Sequence, residues 1–159
     1  MESHGQRAKA YFLEGYNCAQ SVLLAFADEL GLERDTALLL TASFGGGMGG
    51  LREVCGTVSA ILMAAGLRYG YRDPKDLAGK RAHYQRVQEL AGAFREKNGS
   101  IVCRELLGLP AGPDRPEPAK RTPDYYKKRP CPDLVRDAAD ILEAYMRTHP
   151  VGDGDNREK

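Results

Sequence analysis

Apolar residues recur at three- and four-residue spacing along nearly the whole chain, which is the pattern of helices that each bury one face. The segments Val22 to Leu30 and Leu134 to Tyr145 follow this spacing closely. Asp35 to Phe44 is short and apolar and would also fit a strand, but no other segment resembles a parallel strand. The sequence therefore predicts an all-α fold, a compact single-domain helical bundle of about six to seven helices.

Two segments interrupt the helical pattern. The run SFGGGMGGLREVCGT, from Ser43 to Thr57, contains six glycines, and Leu109 to Pro132 contains seven of the nine prolines. Proline lacks the amide hydrogen that a helix interior needs. The sequence therefore predicts a Gly-rich loop and a long Pro-rich loop without a helix. Residues 1–147 form the single four-cysteine domain in this interpretation, and residues 148–159 form a disordered tail.

Charge and hydropathy exclude several classes of partner. The chain has 23 Lys and Arg against 22 Asp and Glu, a balance too even to create a strong field toward nucleic acid. Its longest apolar stretch, Val58 to Leu67, is far shorter than the roughly 20 residues that span a bilayer. The N-terminal residues also lack the features of a signal peptide. We expect no nucleic-acid partner, no membrane insertion and a cytoplasmic location.

The glycine run could serve a phosphate or a cysteine. Gly45, Gly47 and Gly50 match GxGxxG, but a dinucleotide fingerprint also needs a preceding strand and an alternating βαβ chain. The P-loop pattern fails because Leu51 and Arg52 stand where Lys and Ser or Thr are required. Nucleotide binding is therefore disfavoured, and the run is better explained as a bend that positions the cysteine near its end.

The four cysteines, Cys18, Cys55, Cys103 and Cys131, all fall at predicted helix N-termini. Cys18, for example, follows Asn17 in a sequence that resembles a capping box. Free amides and the helix dipole favour a thiolate there and can lower a cysteine pKa to about 3.5–7.5. We predict that the four are redox-active or metal-ligating, although buried cysteines are often inert packing residues.

The glycines beside the cysteines are predicted to shape this site by positive φ angles or close backbone packing. They are Gly45, Gly46, Gly47, Gly49, Gly50 and Gly56. The three histidines, His4, His83 and His149, lie in segments where a solvated side chain is expected.

Four segments together resemble a known family. They are YNCAQSVLLAF at Cys18, GGGMGGLREVCGTVSAILMAAGL at Cys55, IVCRELLG at Cys103 and CPDLVRDAADILE at Cys131. The order and context of the cysteines are similar to those of the C_GCAxxG_C_C (CGAxxG-motif) family of redox-active four-cysteine proteins. The resemblance spans roughly Tyr11 to Tyr145. The chain departs from the family pattern at Thr57, where Ala is usual, and at Ala60, where Gly is usual.

The resemblance implies a helical domain that gathers the four cysteines, as in related electron-transfer domains with an iron–sulfur cluster. Four thiolates can hold such a cluster or a structural zinc, or can remain without a cofactor. Our hypothesis is an iron–sulfur centre for electron transfer, with an unidentified redox partner and room for a homo-oligomer. A metal-free thiol/disulfide redox protein is one alternative. A non-redox helical module that uses Tyr125 to Arg129 as its contact surface is another.

Overall fold

The computed structural model describes residues 1–151, which form helices connected by turns and loops. The elements are α1 His4–Glu14, α2 Cys18–Phe26, α3 Arg34–Thr41, α4 Gly45–Gly49, α5 Gly56–Tyr69, α6 Leu77–Asn98, α7 Cys103–Leu107, α8 Pro123–Lys128 and α9 Cys131–Thr148. Within these residues the extended structure is one isolated antiparallel bridge, between Val54 and Val102. The predicted all-α fold is confirmed.

Helix α2 lies at the centre of the bundle and packs against α1, α3, α5 and α9. Its large side chains Leu23 and Phe26 are fully buried, as are Ile61 of α5 and Leu142 of α9. Helix α6 covers α5 and α9 from outside, and most of its charged side chains are exposed. Burial of each such side chain contributes about 1.5–3 kcal/mol to stability, so these central helices provide a firm frame for the loops at their ends.

Helix α8 is the main correction to the predicted secondary structure, because it forms inside the segment predicted as a helix-free loop. The Thr122 hydroxyl accepts a hydrogen bond from the Tyr125 amide at 3.3 Å, and Pro123 occupies the first turn, where no amide donor is needed. Proline at this position starts a helix rather than breaking it. Because α4 is not a regular α-helix, the described residues contain eight regular helices, slightly more than predicted.

The C-terminal helix α9 continues through Thr148, the first residue of the tail predicted to be disordered. The remainder of that tail, residues 152–159, lies outside the described residues. Between residues 1 and 151, no helix combines the length and apolar character needed to cross a membrane.

Candidate functional site

All four cysteines line one cavity of about 370 Å³. Cys18, Cys103 and Cys131 are the first residues of α2, α7 and α9, and Cys55 immediately precedes α5. All four therefore lie at helix N-termini, as predicted, and all four are free thiols. The fold brings together residues that are far apart in sequence, which makes this cavity the candidate functional site.

The N-terminus of α2 is fixed by a capping box, as its sequence predicted. The Asn17 side chain accepts from the Gln20 amide at 2.8 Å, and the Gln20 side chain accepts from the Asn17 amide at 3.1 Å. This reciprocal pair satisfies two amides that the first turn would otherwise leave without partners. It also determines that Cys18 is the first helical residue and that its side chain lies at the cavity.

Element α4 is a left-handed turn that forms one side of the cavity. Every residue from Gly46 to Gly50 has a positive φ, between 63° and 91°. A left-handed conformation costs most residues about 1–2 kcal/mol and glycine almost nothing. At Gly47 an added Cβ would also lie 2.6 Å from the Cys103 Cβ. The glycines thus allow the chain to reverse direction in contact with Cys103.

Gly45 and Gly56 permit close contacts between neighbouring elements. A Cβ on Gly45 would lie 2.6 Å from the Cβ of Asn17. A Cβ on Gly56 would lie 2.5 Å from the carbonyl oxygen of Phe44 and 2.6 Å from the Sγ of Cys18. The start of α5 can therefore approach the start of α2 only because these positions carry no side chain. This contact places Cys55 and Cys18 in the same cavity.

The single antiparallel bridge connects the segments that carry Cys55 and Cys103. The Cys55 amide donates to the Ile101 carbonyl at 2.8 Å, and the Cys103 amide donates to the Glu53 carbonyl at 2.6 Å. Sequence reasoning missed this pairing because the two segments are short and lie almost fifty residues apart. Its effect is to hold two of the four cysteines at a fixed separation through backbone hydrogen bonds.

Burial and repulsion between the thiols raise the pKa values of three of the four cysteines at this site. Burial is the main cause for Cys18, Cys55 and Cys131, and it raises the pKa of Cys131 to about 11. Negative charge on Cys103 raises the pKa of each of these three thiols further. The predicted pKa lowering was therefore wrong for Cys18, Cys55 and Cys131. The helix N-termini favour thiolates, but burial of several thiols together has the larger effect.

Several groups donate hydrogen bonds toward the cysteine sulfurs. Arg52 Nη1 donates to Cys103 Sγ at 3.6 Å, and Thr57 Oγ1 lies 3.1 Å from Cys55 Sγ. The Gly46 amide acts on Cys18 in the same direction. These donors stabilise negative charge on sulfur. The site can therefore stabilise thiolates when a positively charged group offsets the repulsion between them.

The Pro-rich segment supplies the outer wall of the cavity, and this wall is mainly cationic. Its lining charges are Arg115, Arg121 and Arg129 against Glu117. An ion pair of 2.8 Å between Arg52 and Asp114 connects the wall to the glycine turn. The same arginine that donates to Cys103 therefore also holds the wall in place.

The histidines lie away from the cavity. His4 was predicted to be solvated, but its side chain is mostly buried. Its two ring nitrogens each lie 2.7 Å from a carboxylate oxygen, of Glu29 and of Glu143, and its ring stacks on Phe26. These partners are remote in sequence, so no local signal revealed them. Among the described residues, no group of three or more His, Cys, Asp or Glu side chains is arranged to hold a metal ion.

One protein family matches most of the chain. Its sequence pattern, C_GCAxxG_C_C, described as "Putative redox-active protein", covers residues 16–145 and includes all four cysteines. Comparisons with curated proteins and with solved structures gave no match.

Proposed function

The chain belongs to the C_GCAxxG_C_C family, and from this membership we propose that its four cysteines hold one iron–sulfur cluster for electron transfer. The observation that carries the proposal is the convergence of Cys18, Cys55, Cys103 and Cys131 on one cavity. Four cysteine thiolates are the usual ligand set of [2Fe–2S] and [4Fe–4S] clusters.

The cavity and its donors fit a cluster better than a single ion. Four thiolates around one zinc must each approach it to about 2.3 Å, whereas in a cluster different thiolates bind different iron atoms. The cavity that the four cysteines help to line, of about 370 Å³, has room for the larger group. Bound iron would also offset the repulsion that raises the thiol pKa values. When bound, such a cluster supplies one-electron transfer at a potential set by its surroundings.

The residues of the chain itself hold and tune the site. The donors from Arg52 and Thr57 lie within reach of Cys103 and Cys55 sulfur, respectively. Such hydrogen bonds stabilise the more negative, reduced state and raise the potential. Raised thiol pKa values also mean that loading must release protons, so loading becomes more favourable as pH increases. A cytoplasmic location suits this proposal, because reducing conditions keep the thiols available.

The metal-free dithiol alternative has less support from the geometry. Thiol–disulfide exchange begins with attack by a thiolate, and a strongly raised pKa leaves little thiolate at neutral pH. Burial raises the pKa of Cys18, Cys55 and Cys131. These thiols are therefore better suited to ligation, where a metal displaces the proton, than to nucleophilic attack.

Anaerobic reconstitution with iron and sulfide tests the proposal. The loaded protein should be brown, with visible absorbance and stoichiometric iron and sulfide, and each single Cys→Ser substitution should abolish loading. Ala64→Ser, which adds a hydroxyl to the buried core of α5 at a position that does not line the cavity, is the matched control and should load normally. Protein that stays colourless, with four titratable thiols, would refute the cluster. Preferential binding of zinc would refute it as well.

A further inference from the structure

The outer wall of the cysteine cavity belongs to a segment with unusual charge. We define the basic rim as residues 115–129, RPEPAKRTPDYYKKR. It has six Lys or Arg and two acidic residues, whereas the rest of the chain has 17 basic and 20 acidic residues. The protein is therefore nearly neutral as a whole but carries concentrated positive charge beside its cysteines.

The cations of the basic rim are available to a partner. Lys120, Lys127 and Lys128 are exposed, and none of them forms an ion pair within the described part of the chain. Arg121 differs, because its guanidinium donates to the carbonyls of Phe12 and Tyr16 and so anchors the segment to the bundle. The basic rim thus combines an anchored arginine with free lysines.

The basic rim also resembles a protein interface in composition and position. Tyr125 and Tyr126 are half-buried among the cations, and Tyr and Arg are enriched where proteins recognise each other. Arg115 and Arg129 line the cavity itself. A partner bound to the basic rim would therefore lie directly over the four cysteines.

We infer that the basic rim is the docking surface for an acidic electron-carrier protein, an inference that rests on the proposed function. Complementary charge accelerates encounter and orients the partners, and electron-transfer complexes often use small, transient interfaces. The four cysteines would hold the centre, and a bound centre would accept one electron from the reduced carrier with no bond formed or broken. A nucleic acid is the weaker candidate, because its binding depends on neutralising many phosphates and the chain has a net charge of only +1.

Titration with oxidised flavodoxin, an acidic flavoprotein, tests the docking surface without needing the redox centre. Calorimetry at low and physiological salt should show binding that weakens as salt increases. The variant K120Q/K127Q/K128Q should weaken binding about tenfold or more, because it removes three interface charges. The matched control K75Q/R81Q/R95Q removes three exposed charges from α6 and the loop before it, and should bind like the unmodified protein.

The inference is overturned if flavodoxin does not bind at low salt, or if both triple variants bind equally well. Tighter binding to heparin, duplex DNA or anionic vesicles would overturn it too, since it would assign the cations to another partner. Iron content separates this test from the proposed function. If the protein loads iron but the lysine substitutions do not weaken flavodoxin binding, the docking surface is refuted and the cluster is not. If the protein binds flavodoxin but holds no iron, the cluster is refuted and the docking surface is not.

Discussion

Replacing Thr57 with valine tests whether a hydroxyl tunes the sulfur of Cys55. Thr57 is only 1% exposed, and its Oγ1 lies 3.1 Å from Cys55 Sγ. Valine has nearly the same shape but carries no hydroxyl, so the substitution removes this hydrogen bond with little change in packing. The family that the sequence resembles usually has Ala here, which makes the hydroxyl a feature of this chain.

The expected magnitude follows from the charge on sulfur. Burial is the largest influence on Cys55 and raises its pKa, while the Thr57 hydroxyl acts in the opposite direction. Once Cys55 is ionised, only the hydroxyl can donate, so the hydrogen bond favours the thiolate. A hydrogen bond to a charged group contributes about 1.5–3 kcal/mol, and one pKa unit corresponds to about 1.4 kcal/mol. Thr57→Val should therefore destabilise the Cys55 thiolate by about 1.5–3 kcal/mol, which raises the Cys55 pKa further.

Carbon-13 NMR of labelled cysteines measures this effect in the reduced, metal-free protein. The Cβ shift of Cys55 is followed against pH in the unmodified protein, Thr57→Val and Thr57→Ser. Serine retains the hydroxyl and should produce a smaller change than valine. In the iron-loaded protein, Thr57→Val should also lower the midpoint potential by tens of millivolts, since about 59 mV corresponds to a tenfold change for one electron.

Two results would refute this reasoning. An unchanged Cys55 pKa in Thr57→Val would mean that the hydroxyl does not support the thiolate. An equal rise in Thr57→Ser, which retains the hydroxyl, would mean that loss of the hydrogen bond does not cause the rise in Thr57→Val.

Two further predictions concern the metal-free protein and are measured by urea unfolding. The free energy of unfolding should be constant below about pH 8.5 and should fall as the pH rises through about 11, because burial raises the pKa of Cys131 to about 11 and unfolding lets the thiols ionise. A variant with serine at all four cysteines should lose this pH dependence. A flat pH profile in the unmodified protein would contradict the prediction. Gly47→Ala should lower the free energy of unfolding by about 2–4 kcal/mol, because the φ of Gly47 is 63° and an added Cβ would clash with Cys103. Gly92→Ala, a helical site with open space around it, should instead stabilise by about 0.5–1 kcal/mol; similar effects of the two alanines would show that the left-handed turn is not constrained.

Local sequence patterns were sufficient for the helices and for the positions of the cysteines on them. The capping box at Asn17 and Gln20 uses residues three apart, so the start of α2 at Cys18 could be predicted. Helix α8 was missed because the density of prolines concealed the local signal of Thr122 followed by Pro123.

Properties that depend on several distant segments could not be predicted. The thiol pKa values depend on burial and on charges from four helices, neither of which is visible at one helix N-terminus. In the same way, His4 was expected in solvent because Glu29 and Glu143 approach it only in the folded bundle. The bridge between Val54 and Val102 gave no signal, because one residue pair has no periodicity.

The left-handed turn from Gly46 to Gly50 forms a part of the cavity lining that tolerates few substitutions, whereas other parts of the lining can change. Its backbone conformation admits few side chains, so this side of the cavity cannot acquire new chemical groups by substitution without strain. The neighbouring wall, in residues 115–129, is largely exposed and carries varied side chains. New partners should therefore be acquired through substitutions in that wall. A mutant library confined to residues 115–129 would vary partner recognition and leave the four cysteines unchanged.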